Sequence, residues 1–370
     1  MISDSRFLKV ILFSALFLIT SLTTRAQVYA DLKKEKPEDT EYPYLLPIWG
    51  QKVKEKGFEL PYSAGIGVNY LWQNSDILIS NVSIGFNGGE LVNVDELIRF
   101  NSTTAESSGI NIRPDVWVLP FLNVYGIFAR AESTTNVDVS VTIPLVDGTE
   151  ELFSIQTSPE FSSQTTGFGL TPTMGFLGGW LALDMNFTWT DVDKQENPVF
   201  AFIFDPRIGK TFQFRKPERN ISFWVGGFRV KVNRDTQGSL PLGDALPIAE
   251  WETRIATGQE KVGEAQVELD QWWEGLTPIE QANPVNKIKR EANQAKLDLA
   301  GRVLNSADNA VDNAGNSTLD YTLDKAQAKL WSLQVGSQFQ FNKSWMIRAE
   351  YGFSSGRQQF FCGLQYRFGL

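Results

Sequence analysis

The chain has 370 residues, a formal charge of −9, a single cysteine and no histidine. An acidic chain is a poor match for a nucleic-acid backbone, one cysteine excludes an internal disulfide framework, and lack of histidine removes the commonest base titrating near neutrality. Aromatic residues make up 12% and charged residues 21%, a mixture that suits a wall with one face in lipid and the other in water.

Residues 1–26 have the layout of a signal peptide. Arg6 and Lys9 precede an apolar run from Val10 to Leu22, and Thr24 and Ala26 put small residues before a cut at Gln27. No later run approaches the eighteen or so apolar residues of a membrane helix. An exported chain of this kind is either soluble or a closed barrel. Residues 27–61 read as an N-terminal periplasmic segment. The stretch from Asp31 to Glu41 is charged, and Tyr42 to Pro47 carries too many prolines for a central strand, so it is expected to dock at the periplasmic rim.

From residue 62 the pattern has a period of two, and 62–232 is expected to hold the first barrel strands. Ala64, Ile66, Val68, Tyr70 and Trp72 alternate with small and polar residues, the dyad of a membrane strand, and Val82, Ile84 and Phe86 keep the same parity. Ile110, Ile112, Val116 and Val118 form a second strand that turns at Leu119-Pro120-Phe121. Tyr125, Ile127 and Ala129 return with the apolar face outward. Val137 to Ile143 continue far beyond a bilayer crossing, so a hairpin arm should project from the membrane. Leu181 to Trp189 and two strands near 200–214 and 220–232 follow. In the last of these the apolar parity changes across Gly226-Gly227, which predicts a β-bulge.

Residues 233–329 break the alternation and read as a helical insertion, expected on the extracellular side. Thr277-Pro278-Ile279-Glu280 has the form of a capping box, and Val285, Ile288, Ala292, Ala295, Leu299 and Val303 recur at helical spacing. An earlier helix covers about 259–274. The pair could cap the barrel or fold into it as a plug. Residues 330–370 resume the alternation with three strands joined by short turns at Asn342-Lys343 and Ser355-Gly356. The expected fold is an all-β transmembrane antiparallel barrel of ten to twelve strands, with the insertion before the last three.

Two segments carry a resemblance. Gly363-Leu364-Gln365-Tyr366-Arg367-Phe368 resembles the C-terminal signal by which barrels are recognised for insertion, although the chain ends in Leu370 where that signal has Phe. Asp115-Val116-Trp117-Val118-Leu119-Pro120-Phe121-Leu122-Asn123-Val124-Tyr125-Gly126 resembles a hairpin of an uncharacterised family of Gram-negative outer-membrane barrels. The resemblance implies an outer-membrane location and a barrel, and brings no reaction with it.

Inward parity gathers charges: Arg113, Asp115, Arg130, Glu132, Asp184, Arg207, Arg229, Lys231, Arg348, Glu350 and Arg367. They read either as a network filling a narrow lumen or as the lining of a solute path. Arg348 and Glu350 are expected to pair with neighbouring strands rather than with each other. Trp251, Trp272 and Trp273 are the candidate contacts for a protein or glycan partner, with packing between the inserted helices as the alternative. No catalytic residue, cofactor or metal site is expected. The expected partners are outer-membrane lipid and the barrel-insertion machinery. The expected role is passive, porin-like or structural, and the alternative is a surface module presenting the insertion.

Overall fold

Period-two patterning becomes β-structure along most of the described chain, which comprises residues 41–56, 60–193, 195–216, 218–232, 235–245, 251–312 and 316–370 of a computed structural model. The expected signal peptide lies outside the described residues, as does most of the charged stretch after Asp31. Ten strands form the ring: β1 (Ala64–Phe86), β3 (Ile98–Leu119), β4 (Leu122–Leu145), β6 (Glu160–Phe176), β7 (Gly179–Val192), β8 (Val199–Gln213), β9 (Asn220–Val232), β12 (Trp331–Gln340), β13 (Trp345–Ser354) and β14 (Arg357–Phe368). Each pairs antiparallel with its neighbours. β1 closes the ring between β14 (Ala64↔Phe368 to Ser75↔Arg357) and β3 (Ala64↔Val116 to Asp76↔Thr104). Closure leaves no edge whose backbone groups would be stranded in hydrocarbon.

β12, β13 and β14 have 10, 10 and 12 residues, the length of one bilayer crossing. Over this height the faces divide by chemistry. Ile66, Val68, Ile110, Ile112, Phe128, Leu333, Ile347 and Leu364 are exposed on the outside, while Asn69, Asp184, Gln334, Glu350 and Arg367 are buried inside.

β1, β3 and β4 run for 23, 22 and 24 residues and project beyond one end of the ring. Four shorter strands join them there: β2 (Val92–Asn93) and β11 (Thr318–Gln327) against β1, β5 (Gly148–Thr157) against β4, and β10 (Asp235–Pro241) against β11. In this extension the polarity is inverted, with apolar residues facing inward. On β1 a bulge makes the switch. The register slips between Ser80 and Ser83, Asn81 adopts a left-handed φ of 54°, and Val82, Ile84 and Phe86 turn inward.

On β4 no bulge is needed, and this corrects the sequence reading. Tyr125 and Ile127 face inward and are buried, in line with Val137, Val139 and Val141 further along; Arg130 and Glu132 therefore face outward and are exposed. Residues 124–128 carry no charged or amide side chain on either face, so the alternation there does not tell inside from outside. The same inversion corrects β9. Its register with β12 runs unbroken through Gly226-Gly227, with no bulge. Val230 is buried and Phe228 lies under the inward Arg357 guanidinium, so Arg229 and Lys231 point outward. Arg229 stands against Trp331, its cross-strand partner.

The insertion is only partly helical, because its ends are β10 and β11. Between them lie α2 (Leu242–Ala245), α3 (Trp251–Gly275), α4 (Pro278–Ala282) and α5 (Pro284–Val311). The capping box forms: the Thr277 side chain accepts from the Glu280 amide at 3.4 Å, and the Glu280 carboxylate accepts from the Thr277 amide at 2.8 Å. The Thr277 hydroxyl, which also donates to the Glu280 carboxylate at 2.7 Å, and the Thr277 amide together hold that carboxyl below its ordinary pKa. The buried stripe of α5 starts at Leu297 and continues through Ala300, Leu304 and Ala307, while Val285, Ile288, Ala292 and Ala295, expected on it, are exposed. Leu297, Ala300 and Leu304 pack with Ala265 and Leu269 of α3 onto Leu97, Ile143, Val146 and Leu152. The helices thus roof the extension and stay out of the ring. At the opposite end, by the short turns, α1 (Gly50–Glu55) and the residues before it dock: the Ile48 amide donates to Val118 O at 2.9 Å, and the Trp49 ring lies 6.4 Å from that of Phe121.

This sidedness can be read in bilayers with single-cysteine, Cys362-free variants carrying nitroxide labels. A label at Phe128 should broaden with lipid-dissolved oxygen, and one at Ile127 should not. Equal accessibility at the two positions would contradict the orientation of β4.

Candidate functional site

The middle of the ring holds three guanidinium groups and three carboxylates. Arg207 on β8 is the hub: it donates to Asp184 on β7 at 2.8 Å and to Glu350 on β13 at 3.3 Å, and its Nε lies 3.6 Å from Asp205. Arg113 on β3 approaches Asp184 at 3.6 Å, and Arg348 on β13 pairs with Glu350. Arg348 and Glu350 therefore do pair with each other, against expectation. Being two apart on one face of a strand, their long side chains can meet, and Glu350 also reaches Arg207. The Tyr125 hydroxyl donates to Asp184, Thr171 Oγ1 donates to the same carboxylate at 3.0 Å, and the Gln334 amide donates to Glu350.

The pairs Arg113–Asp184 and Arg207–Glu350 join strands three places apart in the ring. They cross the interior as chords, and the side chains of Asp184, Arg207 and Glu350 are each less than a tenth exposed. A second buried pair, Arg367 to Asp115 at 3.0 Å, ties the last strand to β3. On the short-turn side the lumen keeps a cavity of about 490 Å³ with mixed polar and aromatic walls, lined in part by Trp117, Trp180, Trp224 and Arg348. Gly336 lies opposite Trp224 on the neighbouring strand, and its missing side chain leaves the space that the indole fills.

Beyond the network the extension encloses a second cavity of about 290 Å³ with almost wholly apolar walls. Val82, Ile84, Val137, Val139 and Val141 form its sides, and Ala300, Val303, Leu304, Ala307 and Trp251 form its roof. Among the described residues, the one charged residue on its lining is Lys325 of β11. Burial pushes the Lys325 ammonium below its ordinary pKa and the Tyr321 phenol above it.

Of the charges read as inward, Arg113, Asp115, Asp184, Arg207, Arg348, Glu350 and Arg367 meet in the lumen, and Arg130, Glu132, Arg229 and Lys231 do not. Sequence reasoning passed over Asp205, although it shares the inward parity of Arg207 two residues earlier, and it passed over Lys325. The three tryptophans of the insertion do not form one surface cluster. Trp251 is buried against Phe153 at 5.7 Å, whereas Trp272 and Trp273 take cation–π contacts from Lys289 and Arg290 at 5.0 and 4.6 Å.

No family model matches the chain, and no curated protein does either. Among solved structures it resembles the β-domain of the Bordetella autotransporter BrkA, with 8% identity over 83% of this chain and 100% of that one at a TM-score of 0.34. It also resembles the translocator domain of the autotransporter NalP from Neisseria meningitidis, with 10% identity over 86% and 94% and a TM-score of 0.32. A third is an outer membrane channel from Pseudomonas putida F1, with 8% identity over 83% and 96% and a TM-score of 0.26. These are barrels of Gram-negative bacteria, and at such identities the likeness concerns the fold alone.

Removing the hub should be expensive. Arg207→Ala removes the guanidinium that Asp184, Asp205 and Glu350 share, and losing one partner of a buried pair costs about 3–5 kcal/mol. Urea unfolding in detergent micelles should register the loss, and adding Asp184→Asn and Glu350→Gln should recover part of it. Unchanged stability of the single variant would show that the network contributes nothing to the barrel.

Proposed function

We propose that the protein is a closed outer-membrane barrel with a structural, non-catalytic role, holding a roofed extracellular chamber on a non-conducting base. The observation that carries this is the set of chords through Arg207, Asp184 and Glu350, which fills the ring at mid-height with paired, buried charge. An asymmetry supports this orientation: short turns and the docked N-terminal segment lie at one end, and the long strands and helices at the other, as periplasmic and outer ends usually differ in such barrels. Of the two passive roles, the filled lumen favours a structural wall over a solute path.

Planar-bilayer recording tests this reading. The wild-type protein should give no discrete conductance steps, and the Arg207→Ser/Glu350→Ser variant, which empties the crossing point, should give small ones. Discrete steps from the wild type would overturn it.

One observation favours the alternative of a surface module. Ile279, Val285 and Ile288 are exposed together around the turn into α5, far from the roof's buried stripe. Crosslinking from Ile279 on intact cells should then capture an envelope or extracellular protein. Recovery of lipid adducts alone would remove this alternative.

A further inference from the structure

We infer that the extracellular chamber is a binding site for an anionic amphiphile, an acyl chain bearing a carboxylate, with Lys325 as the counter-ion for its head. A cavity of about 290 Å³ lies just below the usual range of small-ligand pockets, about 300–1,000 Å³, and suits a single slender chain. Its walls are built for a chain: valine and isoleucine from β1 and β4 on the sides, and alanine and leucine from α5 above. No Asp or Glu lines it, so among the described residues Lys325 has no counter-ion on the chamber wall. The lysine belongs to an inward row, Leu319, Tyr321, Leu323 and Lys325, that is otherwise apolar or aromatic.

An ammonium held among aliphatic side chains is costly without an anion, and a strand that only had to finish an apolar wall would carry an apolar residue there. Desolvation already lowers its pKa, and a bound carboxylate would relieve that penalty. Tyr321 and Thr236 lie on the same wall and offer hydroxyl groups for the remaining lone pairs of a carboxylate head. A neutral apolar guest would use the walls and leave the ammonium uncompensated, so the geometry selects for the anion. The inference does not depend on whether the lumen below conducts.

The probe is 11-(dansylamino)undecanoic acid, titrated against the full protein in lipid nanodiscs, because detergent would itself compete for an apolar chamber. Empty nanodiscs are the blank. One saturable site per chain is expected. Lys325→Met, which keeps an unbranched side chain of similar length and removes the charge, should weaken the probe at least about tenfold, while the matching dansylated alcohol should bind both proteins within about twofold of each other. Val139→Trp, which fills the cavity from a wall remote from Lys325, should abolish binding of acid and alcohol alike. Heat-modified gel mobility establishes that each variant has folded. Absence of a saturable signal above the blank overturns the site. Equal affinity of wild type and Lys325→Met for the acid, or of the wild type for acid and alcohol, overturns the assignment of the charged head.

Discussion

A strand that crosses hydrocarbon must turn apolar groups outward, and the same strand, once clear of the bilayer, must turn them inward to bury anything at all. This reversal governs the whole molecule. β1, β3 and β4 live in both environments within a single run of chain. β1 changes face by inserting a residue at Asn81. β4 keeps its face and changes its composition instead, from Asn123 and Tyr125 at the ionic level to Val137 and Val139 in the chamber. The outward residues follow the opposite course, which is why Arg130 and Glu132 sit on the outside where β4 leaves the bilayer.

The two interiors are stabilised by different means. In the ring, paired charges replace a hydrophobic core, and each carboxylate is answered by a guanidinium or an amide from another strand. Such a network gives little net stability over an apolar filling, because desolvation offsets most of the attraction, but it penalises any register that separates the partners. In the extension the roof is held by ordinary packing: leucine and alanine from two helices meet isoleucine, leucine and valine from the strands. The first interior fixes which strands are neighbours, and the second closes the space above them.

How much of this was legible follows from how different the two faces of each strand are. β12 and β14 set phenylalanine and leucine against glutamine, glycine and serine, and their orientation can be read directly. β4 carries no charged or amide side chain on either face from Val124 to Phe128, so its parity is ambiguous and alternation alone places two charges on the wrong side. Reading 233–329 as one helical insertion hides β11, although Leu319, Tyr321 and Leu323 alternate there with Asp320, Thr322 and Asp324. Once β11 is seen as a strand, Lys325 stands out as a cation in an apolar row. The outward cross-strand stacking of Arg229 on Trp331 depends on register and lay beyond any one-dimensional reading.

The seam between β1 and β14 joins residues some three hundred positions apart in the chain. Contacts so distant form late, since the intervening loop must be gathered first. The helices of the insertion stand in the chain ahead of the final three strands and pack on the extension rather than in the ring, so closing the seam does not enclose them. Ring and lid are therefore topologically independent: the seam can be sewn with nothing threaded through it.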